Sequence, residues 1–227
     1  MYKKFVKRIF DLICAFAAVT VFFWIYLIVA ILVRIKLGSP ILFKQKRPGK
    51  DGKIFTLYKF RTMNDAKDKD GNLLPDNIRL TSFGKALRAT SLDELPEVIN
   101  IIKGDMSIIG PRPQLVRDMV FFTKQQMKRQ SVRPGLSGLA QISGRNGISW
   151  EEKLNYDLQY IENITFLGDC KIIALTFWQA FVKRDGIAQE GMDTAEDLGD
   201  YLLERGDVTK EEYSTKQSLA MVMLENN

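Results

Sequence analysis

Residues 12–33 form a run of 22 residues without a single charged side chain, and this run limits the possible folds more than any other feature. As one helix it would be about 33 Å long, enough to cross a bilayer. A buried core helix of this apolarity is not expected in a chain of 227 residues. The run is also too long for a signal peptide, and no small-residue cleavage site follows it. We therefore predict a helix inserted in a membrane.

Basic residues flank this run on both sides, which bears on how the helix enters the membrane. Positive charge on both flanks favours a dipping form, with both ends cytoplasmic and two arms of about 11 residues, each about 16 Å long. A full span stays open, because the run holds no Pro or Gly for a bend and Thr20 is the only polar residue near its middle. Gly38-Ser-Pro40 predicts the end of the helix. The flanking basic residues are Lys3, Lys4, Lys7 and Arg8 before the run, and Arg34, Lys36, Lys44, Lys46 and Arg47 after it.

The composition excludes several kinds of catalytic site. The chain has no histidine, which removes Ser-His-Asp and Cys-His catalysis and His-bearing zinc sites. It has two cysteines, one of them inside the apolar run, so a disulfide framework is not expected. Residues 1–189 hold 30 Lys or Arg against 17 Asp or Glu, whereas residues 190–227 carry a net charge of −7. A basic body suits phosphorylated substrates, anionic lipid or nucleic acid.

The remaining pattern predicts an α/β fold that is mostly helical, with a small β-hairpin or sheet. Strands are expected at 41–47 and 53–61 around a turn at 48–52. Helices are expected at 81–88, 95–103, 113–130, 149–161 and 167–184, and a short strand among the turns of 132–147. A Ser149–Glu152 capping box opens the fourth of these helices. Residues 65–77 fail as a calcium loop and are predicted to be a mobile loop. The tail from residue 190 is predicted to be partly disordered or a small helical unit.

The stretch Arg88-Ala-Thr-Ser-Leu-Asp-Glu-Leu-Pro96 is the strongest candidate site. A capping box from Ser91 would put Pro96 at the fifth helical residue, where its ring collides with the preceding turn. We therefore predict that Asp93 is the N-cap, with Glu94 beside it and arginines on either side in sequence. Such an arrangement suits metal-assisted phosphate chemistry. The alternative is that Asp93 only caps the helix and Glu94 is solvated.

The order of several motifs resembles the bacterial sugar transferase family, the monotopic polyprenyl-phosphate phosphoglycosyltransferases. The resemblance covers about residues 3–189, and the short chain is similar to the minimal members that act on bacillosamine-type sugars. The motifs are Lys7-Arg-Ile-Phe-Asp11, Tyr58-Lys-Phe-Arg-Thr-Met63, the Arg88–Pro96 stretch, Lys103-Gly-Asp-Met-Ser107, Gly110-Pro-Arg-Pro113, Val132-Arg-Pro-Gly135 and Ser143-Gly-Arg-Asn146.

The resemblance implies an architecture and a location. Residues 1–37 would be a re-entrant membrane helix, 38–189 a compact cytoplasmic catalytic domain with interfacial amphipathic helices, and 190–227 an acidic tail. The enzyme would lie at the cytoplasmic face of the bacterial inner membrane. One departure concerns the bend, because the family has Ser-Pro where this chain has Val21-Phe-Phe-Trp24.

The resemblance also implies a reaction, in which a UDP-sugar and undecaprenyl phosphate give undecaprenyl-diphospho-sugar and UMP with Mg²⁺. Asp93 would be the nucleophile and Glu94 a magnesium ligand. The positive charge at the phosphates and the contacts to the nucleotide-sugar would come from six further residues. These are Arg88 and Arg112 at the phosphates, Lys59 and Arg61 on the lipid phosphate side, and Arg145 and Asn146 near the nucleotide-sugar.

A rival hypothesis is a membrane-anchored basic scaffold or nucleic-acid-binding module without catalysis. It accounts for the charge of the body and for the apolar run, but not for an acidic pair between arginines. The enzyme hypothesis is therefore preferred, with a UDP-sugar, polyprenyl phosphate and membrane lipid as partners and no nucleic acid. The oligomeric state is left open.

Overall fold

The computed structural model describes residues 2–144, 147–179 and 196–226. The architecture is mostly helical with two small sheets and one long apolar N-terminal helix, which confirms the predicted fold class at that level. A π-helical turn, Tyr2–Val6, leads into the long helix α1, Lys7–Leu37. By length and composition α1 is the one helix in the described ranges that could cross a membrane, which alone is weak evidence of a span.

Helix α1 packs against the body through one narrow stripe near each end. Its buried residues are Asp11, Ala15, Val29 and Val33, spaced so that they share one helical face. Asp11 Oδ1 accepts hydrogen bonds from Ser107 Oγ at 2.8 Å and from the Ile108 amide at 3.0 Å. Residues 20–25 are all exposed, while Val19 and Tyr26 on either side of them pack against the body and the Tyr26 hydroxyl donates to the Leu95 carbonyl at 3.1 Å.

The helix is continuous from end to end, so the two separate arms of the dipping prediction are not formed. The predicted end is confirmed, because the chain leaves α1 at Gly38, whose φ is +81°. Glycine adopts this left-handed conformation without steric cost. Whether the exposed turns lie in lipid stays a prediction.

The predicted hairpin is confirmed. Strands β1, Leu42–Pro48, and β2, Ile54–Phe60, pair antiparallel with Leu42 opposite Phe60. A 3₁₀ turn, Lys50–Gly52, connects them. A second sheet pairs β3, Ser107–Ile109, in parallel with β4, Gly135–Ser137. The short strand among the turns of 132–147 was predicted, but its partner β3 was not.

Short helices carry the central stretch. Helix α2 is Asp76–Arg79 and α3 is Ser82–Ala89, with Thr81 Oγ1 accepting from the Gly84 amide. A 3₁₀ turn, Leu92–Glu94, precedes α4, Glu97–Lys103. The predicted helix at 81–88 is therefore confirmed almost to the residue, and the helix at 95–103 begins two residues late.

The single amphipathic helix predicted at 113–130 is wrong. Its place is taken by α5, Val116–Met119, and a 3₁₀ helix, Gln126–Ser131. Between them Thr123 and Gln126 exchange hydrogen bonds, with each side chain accepting from the other's amide. This reciprocal pair starts a new helical turn, and the apolar residues alone did not reveal it.

The remaining elements of the described residues are helices. Helix α6 is Leu139–Ser143, and α7, Trp150–Glu162, begins with the predicted Ser149–Glu152 capping box. Helix α8 is Phe166–Trp178, and the part of its prediction from 180 to 184 lies outside the described residues. Helices α9, Leu198–Glu204, and α10, Lys210–Glu225, form the described tail, so the helical alternative for the tail is the correct one there.

Four apolar clusters hold the described elements together, and two of them bear on the site and on the tail. One joins Ala15 of α1 to Leu57 of β2 and to Ile101 of α4. The other joins α5 and α7 to the tail through Phe121, Trp150, Leu198 and Ala220. Because α4 lies against both α1 and β2, the acidic pair that precedes it is held at the junction of α1 and the hairpin.

Candidate active site

Asp93 lies in the 3₁₀ turn between α3 and α4 and not at a helix N-cap, so that prediction is wrong. The N-cap of α4 is Pro96, and it makes no side-chain cap bond. The pyrrolidine ring fixes φ of Pro96 at −64°, which is already helical, so the helix starts one residue after the proline. Ser91 makes no cap bond either and has φ +55°, a left-handed conformation that turns the chain sharply before Asp93.

Glu94 is held by two cations from different elements. Its Oε1 lies 2.7 Å from Lys59 Nζ of β2 and 2.6 Å from an Arg112 Nη atom. Lys59 also lies 3.2 Å from Glu97 Oε1, which is almost fully buried. Sequence reasoning missed Glu97, although its position one helical turn after Glu94 was a signal for a shared partner.

The Asp93 carboxylate, in contrast, makes no hydrogen bond and no ion pair with another described residue. Its side chain is nonetheless only 8% exposed. Burial first, and then the charge of Glu94, raise the pKa of Asp93, and the nearby Lys59, Arg88 and Arg112 offset this only in part. An unpaired, partly desolvated carboxylate is the more reactive kind of oxygen nucleophile.

The pKa of Glu94 moves in the opposite direction. Burial by itself would raise it, but the charges of Arg112 and Lys59 outweigh burial and hold the pKa of Glu94 well below its usual range. Burial and the Glu94 charge raise the pKa of Glu97 to about 7. Glu94 is therefore the permanently ionised member of the group, and Asp93 and Glu97 are the members that protonate more readily.

The two arginines reach the group from separate segments. Arg88, in the last turn of α3, donates from Nε to Thr62 Oγ1 at 3.1 Å. Arg112 belongs to the Gly110-Pro-Arg-Pro113 turn after β3. The structure thus brings together four of the predicted site residues besides Asp93, namely Glu94, Lys59, Arg88 and Arg112.

Arg61 does not join this group. Its guanidinium donates to the carbonyls of Leu37, Pro40 and Met63 and pairs with Asp65. These contacts tie the C-terminal end of α1 to β2, and a contact with a lipid phosphate stays a prediction. Arg145 and Asn146, predicted near the nucleotide-sugar, lie outside the described residues.

Glu94 is the one predicted metal ligand, and the described residues offer no group of three or more Cys, Asp or Glu that could hold an ion by themselves. Mg²⁺ is commonly bound through one or two carboxylates together with substrate phosphates. A single ionised carboxylate close to two arginines that could bind phosphate fits that mode of binding. It does not fit a metal site built from protein ligands alone.

Comparison with known proteins gives one family and several named relatives. Residues 2–183 match the model of the family described as bacterial sugar transferase. An uncharacterised sugar transferase, EpsL of Bacillus subtilis, is 49% identical over 190 residues, which cover 84% of this chain and 94% of that protein.

Two longer relatives carry more specific names. A UDP-glucose:undecaprenyl-phosphate glucose-1-phosphate transferase of Klebsiella pneumoniae is 37% identical over 78% of this chain. An undecaprenyl-phosphate galactose phosphotransferase of Salmonella typhimurium is 33% identical over 81% of this chain. The matched segments make up 40% and 42% of those two proteins, so the similarity reaches less than half of each.

Proposed function

Since the chain belongs to the bacterial sugar transferase family and is a phosphoglycosyltransferase, we propose a specific reaction for it. The enzyme transfers a sugar phosphate from a UDP-sugar to undecaprenyl phosphate. The products are UMP and undecaprenyl-diphospho-sugar. The names of the Klebsiella and Salmonella relatives support the lipid acceptor and a sugar-phosphate donor.

The reaction proceeds through a covalent intermediate on Asp93. One Asp93 carboxylate oxygen attacks the β-phosphorus of the donor, and the bond from that phosphorus to the bridging oxygen breaks, so that UMP leaves with the electron pair. An oxygen of the lipid phosphate then attacks the same phosphorus and displaces Asp93. The observation that most directly supports Asp93 as the nucleophile is its contrast with Glu94. Lys59 and Arg112 hold Glu94, whereas the Asp93 carboxylate is unpaired among the described residues.

Neither step needs an imidazole base. The attacking carboxylate and the lipid phosphate are both already ionised near neutral pH, which suits a chain without histidine. The developing charge on the transferring phosphoryl group is stabilised by Arg88 and Arg112. Glu94 and the donor phosphates would hold Mg²⁺, and the ion would supply further neutralisation of phosphate charge.

The packing of α1 supports the membrane position that we propose. Lys7 Nζ lies 2.5 Å from Asp169 Oδ2 near the start of the helix, and Arg61 binds the Leu37 carbonyl at its end. With both ends held on the body, the exposed apolar turns at residues 20–25 enter the lipid as a shallow dip. The body then stays on the cytoplasmic face of the inner membrane, and Asp93 faces substrates at the bilayer surface.

Topology is tested by labelling single cysteines at positions 2 and 50 in vesicles of known orientation, in a background without the two native cysteines. Labelling of both positions from the same side is expected. Labelling from opposite sides would mean that α1 spans the bilayer.

The chemistry is tested with Asp93→Asn in detergent, by measuring UMP release from a panel of UDP-sugars with Mg²⁺ and undecaprenyl phosphate. We expect release by the wild type with at least one donor, and no release by the variant. Asp68→Asn, in an exposed turn, is the matched control and should behave as the wild type. Intact mass after exposure to donor alone should show one added sugar phosphate on the wild type. An active Asp93→Asn variant would rule out the aspartyl intermediate.

A further inference from the structure

The backbone that carries Arg112 is held by two buried or half-buried guanidinium groups from other parts of the chain. Arg129 Nη2 donates to the Arg112 carbonyl at 2.6 Å, and Arg47 Nη1 donates to the Pro113 carbonyl at 3.0 Å. Consecutive carbonyls of one turn are thereby fixed from two directions. This turn has no regular secondary structure of its own, so its conformation depends on such contacts.

Arg129 has a conventional ion-pair partner. Its Nε and Nη2 donate to Asp157 Oδ2 at 2.9 and 2.6 Å, and both side chains are almost fully buried. This pair joins the turn to α7. Its charge is balanced locally, so it would be expected in a structural core whether or not a substrate binds nearby.

Arg47 is different, because no carboxylate of the described residues lies within ion-pairing distance of it. Its Nε and Nη2 both donate to Gln45 Oε1, at 3.0 and 2.7 Å. Gln45 and Arg47 are two residues apart on β1, so both side chains project from the same face of the strand. The neutral amide oxygen orients the guanidinium fork, and the third nitrogen reaches the Pro113 carbonyl.

Burial, and after it the neighbouring Arg112, lower the pKa of Arg47 to about 10, and the charges of Asp118 and Glu97 offset this only in part. Because neither carboxylate lies within ion-pairing distance, an ion pair does not explain why an arginine occupies this position. What the side chain does contribute is a link from the hairpin to the turn, at the carbonyl next to the one that Arg129 binds.

We propose that Arg47, oriented by Gln45, is a positioning residue that fixes the Arg112–Pro113 backbone and so keeps the Arg112 guanidinium at Glu94 and at the substrate phosphate. The proposal rests on the phosphoglycosyltransferase function given above. Arg47 touches no reacting atom in it. The hairpin then positions the site twice, through Lys59 of β2 and through Arg47 of β1.

A double-mutant cycle tests this role, with kcat/KM for UMP release as the readout. Arg47→Gln is expected to lower kcat/KM about 10- to 100-fold, because a small displacement of a phosphate-binding arginine is costly. In an Arg112→Lys background the same change should have almost no further effect. Lys44→Gln, an exposed lysine of the same strand, is the control for charge and should match the wild type.

Two milder variants separate positioning from folding. Gln45→Ala should lower kcat/KM in the same direction as Arg47→Gln, whereas Gln45→Glu keeps the fork and should retain activity. The thermal midpoint is recorded for every variant, and a folding defect alone would lower activity equally in both Arg112 backgrounds. Equal losses in the two backgrounds, or full activity of Arg47→Gln, would overturn the proposal. A wild type that releases no UMP would instead refute the proposed function itself.

Discussion

Asp93 and Glu94 are neighbours in sequence with opposite electrostatic environments. Glu94 has two cationic partners at 2.6 and 2.7 Å, whereas Asp93 is buried with no hydrogen-bond or ion-pair partner among the described residues. The sequence was sufficient to single out the pair, because an acidic dipeptide between arginines is unusual. It was not sufficient to assign a separate role to each carboxylate, because their environments differ through Lys59. This residue lies 34 positions before Asp93 in sequence, and the hairpin brings it to Glu94. Glu97 was missed for the same reason.

The raised pKa of Asp93 predicts that this residue destabilises the folded protein near neutral pH. The folded state binds the Asp93 proton more tightly than the unfolded state does, so stability falls as pH rises from about 4 towards about 6 and stays lower above that. Asn cannot ionise. We therefore expect Asp93→Asn to raise the free energy of unfolding by roughly 1–3 kcal/mol at pH 8 without metal.

Thermal unfolding in detergent with EDTA, at pH 8 and at pH 5, measures this effect. The gain from Asp93→Asn should be present at pH 8 and smaller at pH 5, where Asp93 is mostly protonated in the folded wild type. Asp68→Asn serves again as the control, with no gain at either pH. A loss of stability at pH 8 would mean that Asp93 has favourable contacts, which contradicts its unpaired state.

At the scale of elements, local signals predicted α3, α7 and the hairpin correctly. Thr81 and Ser149 cap their helices through hydrogen bonds within four residues, so the sequence alone contains the cause. The helix expected at 113–130 failed because Thr123 starts a second turn in an otherwise periodic apolar pattern. Strand β3 was missed because its three residues pair only with β4, about 28 positions away.

Helix α3 approaches the segment that follows β2 through a glycine, and this close approach positions Arg88. A Cβ at Gly84 would lie 1.8 Å from the Thr62 carbonyl oxygen, which is too close for any side chain. Gly84→Ala is expected to push α3 away from Thr62, destabilise the fold by about 1–3 kcal/mol and weaken the contact of Arg88 with Thr62. UMP release should fall at least tenfold even at a temperature where the variant remains folded.

Circular dichroism and UMP release measured together on Gly84→Ala check this prediction. Ala86→Ser, on the exposed face of the same helix, is the control and should alter both quantities little. A Gly84→Ala variant with wild-type kcat/KM would show that Arg88 does not need this seating.

At the scale of the whole molecule, contacts between distant segments decide the arrangement, and sequence patterns could not supply them. Asp11 binds Ser107 and Ile108, and Lys7 binds Asp169, each across more than 90 positions. The tail docks in the same way, with the Leu198 amide donating to Asp118 Oδ1 at 2.9 Å and Arg117 pairing with Asp197 at 2.6 Å. Its acidic composition had left both order and disorder open.

Docking of the tail is expected to depend on Ala220 of α10. Its side chain is 2% exposed, because α10 packs there on the cluster around Phe121. An arginine there cannot be buried without a partner, so Ala220→Arg should release α10. Trp150, whose indole N–H donates to the Glu196 carbonyl, would become more exposed, and tryptophan emission should shift to longer wavelength. Met221→Arg, at a position 64% exposed, should leave the emission unchanged. Unchanged emission of Ala220→Arg would contradict docking through this face.

The exposed turns of α1 should be the deepest point of the whole protein in a bilayer. Trp24 is 68% exposed at residues 20–25, whereas both ends of the helix are held by the body. In vesicles whose lipids carry bromine near the middle of the acyl chain, Trp24 fluorescence should be quenched, because the exposed side of α1 faces the lipid in the proposed orientation. Trp24→Phe should remove most of that quenching, and Trp150→Phe should not. Trp24→Glu should weaken vesicle binding several-fold, since a carboxylate in lipid is costly, while Leu73→Glu in an exposed loop should have no effect. Quenching that persists in Trp24→Phe would place another part of the protein deeper and remove the reason for the shallow dip.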